Sequence, residues 1–459
     1  MKLLPIIVGC LTIASFVANA DCETYSELAS LPTSLIAYPD ENASGIVILL
    51  SDEDGWTDDE EDMSDALVAE GAVVVGVDLP DYYASLSAEE RDCLYLVSDI
   101  EEISRRIHRD RNMPIYHQPL VAGIGAGGAL ALAIAAQTPP STIAGTLAIN
   151  PKADIALQKI LCTPAKKTPV EGGMAYGLTD GPLPNPVRVV FGPQADEAGR
   201  AHVGELRAAH ADIETADAAT DPGTAVTAPE LLLRDLVVML RHQRDASTPL
   251  DLPIIPLDTV AAHDTMAIIY SGDGGWRDID RKLAAYLVED GIPVVGVDAL
   301  RYFWTEKGPE ATAADLSRII DTYRKRYRVG HVVLIGYSFG ANILPATYRA
   351  LPEADRKMVS LISLLALSHQ ADFEIAVTGW LGYAGAGKHG DPVEDLKAIE
   401  PFKIQCVYGI KEEDTACPDV QAIAGAQVLA RNGGHHFDGD YKAIERLIVE
   451  RLKTLVAVN

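Results

Sequence analysis

A serine stands between two glycines in "GYSFGAN" (336–342), after the apolar run "HVVLI" and before the helix-like "ILPATYRA". A G-x-S-x-G pattern between a strand and a helix folds as a sharp, strained turn that lifts the serine hydroxyl to the end of the sheet. Ser338 is therefore the candidate nucleophile, and the N–H of Phe339, at the helix start, is a candidate donor to a developing oxyanion. A serine nucleophile needs a base. Beyond Ser338 the chain holds His369, His389, His435 and His436. The last two lie in "ARNGGHHFDGDY", between the last strand-like run and the final helix-like run. The spacing G-G-H-x-F favours His435, with His436 as the alternative. A carboxylate must then hold the imidazole tautomer. The loop after "KIQCVYG" offers Glu412, Glu413 and Asp414. The D-T-A-C-P setting favours Asp414, and Glu413 and Glu412 stay open. A second oxyanion donor is expected from "YSGDGGWRD" (270–278), whose glycines permit close backbone approach to a ligand. The N–H of Asp273 or Gly274 is the candidate, and Trp276 either walls the pocket or packs in the core.

These groups need a scaffold. Apolar β-rich runs such as "TMAIIYSG", "IPVVGVDAL" and "HVVLIGYS" alternate with helical patterns such as "DIDRKLAAYLVEDG" and "ATAADLSRIIDTYRKRYR". The runs lack polar alternation, as in strands buried on both faces. The expected fold is α/β, with mostly parallel sheets and helices on both faces. The order serine, acid, histidine is that of an α/β-hydrolase.

The pattern occurs twice. "IVILLSDEDGWTD" (46–58) matches "MAIIYSGDGGWRD" (266–278), and "EGAVVVGVDL" (70–79) matches "DGIPVVGVDA" (290–299). "PLVAGIGAGGALALAIA" aligns with "VVLIGYSFGANILPATY". A period this long means two homologous domains. The expected division is a signal peptide at 1–20, a first domain at 21–245 and a second at 246–459. The first copy reads as degenerate: Gly125 stands where Ser338 stands, and "TAVTAPELLLRDLVV" replaces the histidine loop. Its acidic run "SDEDGWTDDEEDMSD" (51–65) reads as a solvated face.

The amino-terminal stretch has a lysine, an apolar run to about Val17 and the small-x-small site Ala18-Asn19-Ala20, the anatomy of a cleaved export signal. Export, with a periplasmic destination in a Gram-negative cell, favours disulfides. Cys406 and Cys417 are the expected pair, and Cys22 with Cys93 is a weaker one. No CxxC pair is present, which argues against zinc, and a serine relay calls for no cofactor. The 459-residue chain carries a formal charge of −28. That disfavours nucleic-acid binding and suits a cationic substrate or partner.

The amino-terminal segment, the duplication, "SGDGGWRD", "GVDALRYFW", "GYSFGAN", "YGIKEEDTACP" and "GGHHFDGDY" together resemble the AcvB/VirJ family of exported α/β-hydrolases. The two-domain length is similar to AcvB, and VirJ corresponds to the second half. The resemblance implies a periplasmic hydrolase that releases lysine from lysyl-phosphatidylglycerol. It implies an aminoacylated phospholipid at the membrane surface as substrate, and links to virulence and to type IV secretion components as partners. It also implies Ser338 as nucleophile and a base within the His435–His436 pair. "RYFWTEKG" (301–308) and "GWLGYAGAG" (379–387) are expected to flank the site, either resting on acyl chains or packing as a lid. Two other readings stay open: a non-catalytic partner of a secretion system, and a general exported esterase or thioesterase.

Overall fold

The computed structural model describes residues 31, 35–40, 43–218, 226–245, 249–375 and 387–456. The expected signal segment, Cys22 and residues 379–386 of the glycine-rich stretch lie outside them.

Two seven-stranded sheets of matching topology form the chain. The first contains β1 (Ile36–Ala37), β2 (Gly45–Leu50), β3 (Ala72–Val77), β4 (Leu120–Ile124), β5 (Gly145–Ile149), β8 (Val187–Phe191) and β9 (Glu214–Asp217). Its order is β1-β3-β2-β4-β5-β8-β9. A separate hairpin of β6 (Lys167–Val170) and β7 (Gly173–Tyr176) is inserted before β8. The second sheet contains β10 (Ile254–Leu257), β11 (Thr265–Tyr270), β12 (Val294–Val297), β13 (His331–Tyr337), β14 (Val359–Leu365), β15 (Ile404–Gly409) and β16 (Gln427–Arg431). Its order is β10-β12-β11-β13-β14-β15-β16. In each sheet the first strand is antiparallel to its neighbour and the remaining pairs are parallel.

The unbroken apolar runs are buried on both faces. Along β11, Met266, Ile268 and Tyr270 face one core with Leu316, Ile320 and Leu344, while Ala267 and Ile269 face the other with Leu283, Ile444 and Ile448. Alternation of side chains along a strand makes each run serve two cores at once. Helices Pro309–Tyr327 and Phe339–Ala350 cover the first face, and Asp278–Glu289 and Tyr441–Val456 cover the second. Parallel strands all end on one edge, and the loops at that edge carry the candidate residues.

The two domains meet through helix Leu96–Asp110 and the segment that follows it. Tyr116 is buried in the second domain's core. Trp304 Nε1 donates to Met113 O at 3.1 Å, and the Arg109 guanidinium lies 3.8 Å from the Trp304 ring centre. Arg109 also bonds Ile375 O and lies 3.6 Å from Glu374. Tyr302, Phe303 and Trp304 are buried, with Trp304 at the domain junction. The expectation that this aromatic run meets acyl chains is therefore corrected: interior packing and the partner domain cover it.

Candidate active site

Ser338 joins the end of β13 to helix Phe339–Ala350 with φ 53° and ψ −116°, a left-handed conformation costly for a residue with a Cβ. The flanking glycines permit the turn. A Cβ on Gly336 would lie 2.4 Å from Gly340 O, and one on Gly340 would lie 2.2 Å from Tyr270 O. Neither space admits a side chain, so the tight strand–helix packing requires both glycines.

His435 Nε2 lies 2.9 Å from Ser338 Oγ, and His435 Nδ1 lies 2.6 Å from Glu412 Oε1. The side chain of Glu412 is 8% exposed and that of His435 43%. The carboxylate against the imidazole is thus Glu412, and the expectation for Asp414, with Glu413 as its alternative, is corrected. Local geometry explains the change. The turn Glu412 N–H to Gly409 O (3.0 Å) directly follows β15, and Lys411 N–H donates to Gly433 O at 2.9 Å, beside the histidine loop. By Ala416 the chain has turned toward β14, where Ala416 N–H meets Leu367 O at 2.8 Å. Glu413 and Asp414 lie between these anchors and are exposed. His436 is not against Ser338: its Nδ1 lies 2.9 Å from Tyr337 OH. Burial, and then the neighbouring His435, hold the His436 pKa below its ordinary value.

The first domain displays what the oxyanion loop can do. There Asp52 occupies the place of Gly272, and Gly125, with φ 54°, the place of Ser338. One oxygen of Asp52, Oδ1, accepts from Glu53 N–H at 2.8 Å and from Ala126 N–H at 2.8 Å. These donors are the equivalents of Asp273 and Phe339. The loops match bond for bond: Gly55 N–H reaches Asp52 O and Gly275 N–H reaches Gly272 O, both at 3.1 Å. Two backbone N–H groups thus converge on an anionic oxygen in the first copy. The same backbone, with glycine at 272, leaves that place for a ligand. Asp273 rather than Gly274 is the donor this geometry favours. In the first copy, a Cβ on Gly125 would lie 2.2 Å from Asp52 Oδ2, so the carboxylate occupies the position of the missing nucleophile.

Residues 264–456 match the VirJ family, described as a bacterial virulence protein. The match falls on the second sheet and the helices that cover it. No curated relative matches the chain. Among solved structures it is similar to the thioesterase domain of the curacin biosynthetic pathway, at 15% identity and TM-score 0.31, over 43% of this chain and 94% of that one. It is also similar to Est1E from Butyrivibrio proteoclasticus, at 12% and 0.31 over 41% and 88%. A third is MenH from S. aureus, at 14% and 0.34 over 44% and 98%.

Trp276, within the matched stretch, is 4% exposed and packs among Ile279, Leu283 and Val294. Its ring fills the space above Gly296, where a Cβ would lie 2.4 Å from the indole. It packs beneath the loop 270–278, and of the two readings open for it, core packing holds over pocket wall. Phe339 packs on Phe303 with ring centres 5.1 Å apart. Burial first, and then Asp280, Tyr441, Glu412 and Asp273, raise the Tyr337 pKa, and Asp278 and Glu412 also lie near His436. Arg277, next to Asp278 on the same loop, bonds Glu101 of the first domain, whose Oε1 also accepts from the buried Arg105 at 3.0 Å. This cross-domain contact has no local sequence signal.

Cys406 and Cys417 form a disulfide beneath the acid loop. Cys93 pairs with Cys162, which replaces the Cys22–Cys93 expectation. The bridge ties the chain ahead of helix Leu96–Asp110 to the segment before β6. Among the described residues no group of histidine, cysteine and carboxylate side chains is arranged to hold a metal. Among them, no helix is long and apolar enough to cross a membrane.

Proposed function

We propose that the protein is an exported serine hydrolase that cleaves the aminoacyl ester of lysyl-phosphatidylglycerol, giving lysine and phosphatidylglycerol at the periplasmic membrane surface. The observation that carries this reading is the Ser338–His435–Glu412 relay beside two convergent backbone donors. Ser338 Oγ attacks the ester carbonyl carbon while its proton passes to His435 Nε2. Glu412 holds the Nδ1 proton and stabilises the imidazolium. The N–H groups of Phe339 and Asp273 receive the oxyanion. His435 then protonates the departing glycerol oxygen, and water repeats the sequence to free the lysyl group from Ser338. The crowding of Asp273, Asp278 and Glu412 around the site supports a cationic acyl group, and so does the charge of −28. The export-type amino terminus supports the compartment, and the VirJ match supports a link to virulence.

The test incubates the full mature chain with lysyl-phosphatidylglycerol in mixed micelles and follows free lysine. Ser338→Ala should lose on the order of 10³-fold or more in kcat with little change in Tm, because the half-buried elbow serine lies outside the hydrophobic core and loses only its hydroxyl. Near-normal turnover by folded Ser338→Ala removes the relay. Equal kcat/KM for lysyl- and alanyl-phosphatidylglycerol at low and high salt removes the lysyl preference and leaves a general esterase.

A further inference from the structure

A cavity of about 700 Å³ lies between the domains and is lined by both. Neither Ser338, His435 nor Glu412 contributes to it, so it is distinct from the candidate active site. Its charged lining reverses the character of the chain. Asp and Glu outnumber Lys and Arg by 66 to 38 overall. Here Arg244, Arg301 and Lys307, with His117 and His242, face one carboxylate, Asp251. Arg301 and Lys307 come from the second domain, and His117 and His242 from the first. The positive field is felt inside. Burial first, and Arg301 next, push His117 down to about 4. Lys307 Nζ lies 4.4 Å from the Tyr302 ring centre and 4.0 Å from Asp315, whose carboxylate is held more closely by Arg318 at 2.8 Å and Tyr302 OH at 2.7 Å. Ile115, Met239 and Pro253 add an apolar wall.

We propose that this interdomain cavity binds a phosphate ester, its anionic group on Arg301 and Lys307 and its organic part against Ile115 and Met239. A guanidinium presents a planar donor fork that matches phosphate oxygens, and an ammonium beside it adds a movable charge. A space of this size at a domain boundary suits a small ligand. Because both domains line the cavity, an occupant bridges them and stabilises their arrangement.

The ester can be soluble or the head of a lipid, and two probes separate these sources. The full chain is titrated calorimetrically with glycerol 3-phosphate and with dihexanoyl phosphatidic acid below its micelle concentration. Binding of both means that the phosphate carries recognition. Binding of phosphatidic acid alone means that the apolar wall does as well. In either case Arg301→Gln and Lys307→Gln should each weaken binding by about tenfold, as expected for loss of a charged hydrogen bond. Arg301→Lys, which keeps the charge and loses the fork, should weaken binding less than Arg301→Gln, and Asp251→Asn should increase it. Unliganded melting temperatures near that of the parent chain verify that each variant folds. Failure of both probes to bind overturns the proposal, and so does binding that none of these substitutions changes.

Discussion

Glu412 is the carboxylate on which the imidazole of His435 depends, at 2.6 Å from Nδ1. Removing its charge while keeping its shape should leave the imidazolium unsupported and the tautomer unspecified. Glu412→Gln is expected to lower kcat by about 10²- to 10⁴-fold, the range seen when a relay acid is neutralised. Asp414→Asn, on the exposed part of the same loop, should stay within about threefold of the parent, as surface changes do. Steady-state kinetics of the two variants side by side decide the assignment. Equal losses in both, or a loss confined to Asp414→Asn, would return the role to the residue that the D-T-A-C-P setting suggests.

The strand–loop–helix unit around residue 52 is the counterpart of the unit around residue 272, and the difference between them is a carboxylate. Asp52 satisfies the N–H groups of Glu53 and Ala126. Asp52→Ala should leave both without that acceptor and cost about 0.5–1.5 kcal/mol, the net worth of an ordinary hydrogen bond, because water can reach the exposed Glu53 N–H. A lower Tm with unchanged hydrolytic activity is the expected result. A fluorophosphonate should label Ser338 and nothing in the first domain, since Gly125 offers no hydroxyl. Peptide mapping of the labelled chain checks this. The acidic run that contains Asp52 has a second use. Asp58, Asp59, Glu60 and Glu61 form the first turn of helix Asp58–Ala69, where carboxylates oppose the helix dipole favourably.

At the scale of the whole molecule, the first domain reaches the catalytic edge of the second. The Glu101–Arg277 contact ties the loop that carries Asp273 to the first domain, and this contact is expected to steady the proposed oxyanion donor. A double-mutant cycle with Glu101→Gln and Arg277→Met should show non-additive losses in kcat, with a coupling on the order of 1 kcal/mol. Additive losses would mean that the contact is structural only. The same junction should make the chain sensitive to acid. His108 is fully buried, its Nδ1 lies 2.7 Å from Ser104 O, and its Nε2 accepts from His117 N–H at 2.9 Å. An accepting Nε2 means a neutral ring with its proton on Nδ1. Burial lowers the pKa to about 4. The unfolded chain, with a histidine pKa near 6.5, therefore binds more protons between these values. The contribution is full above about pH 6.5 and is lost as pH falls toward 4. A tenfold difference in proton affinity between the folded and unfolded chain is worth roughly 1.4 kcal/mol. Melting curves from pH 7 to 4 should show this decline, and His108→Gln should flatten it.

The sequence by itself determined the features that depend on local pattern. Unbroken apolar runs alternating with amphipathic ones specify parallel strands covered by helices. The two glycines around Ser338 specify a turn that no larger residue allows. The recurrence of "GW" and "GVD" at a constant interval reveals the duplication. The histidine loop was legible because it follows the last strand, and G-G-H-x-F selects the histidine that meets Ser338. Tertiary structure decided the rest, because those choices depend on which way a side chain points once distant segments pack. Three acids within three residues look alike in sequence, and only the approach of Gly409 to the histidine loop turns Glu412 inward. Trp276 could by type wall a pocket and the aromatic run at 302–304 could face acyl chains, yet Gly296 and the neighbouring domain provide places that bury them. The partners of Cys93 and of Arg277 lie 69 and 176 residues away. Such contacts arise from the docking of whole elements, and no local spacing encodes them.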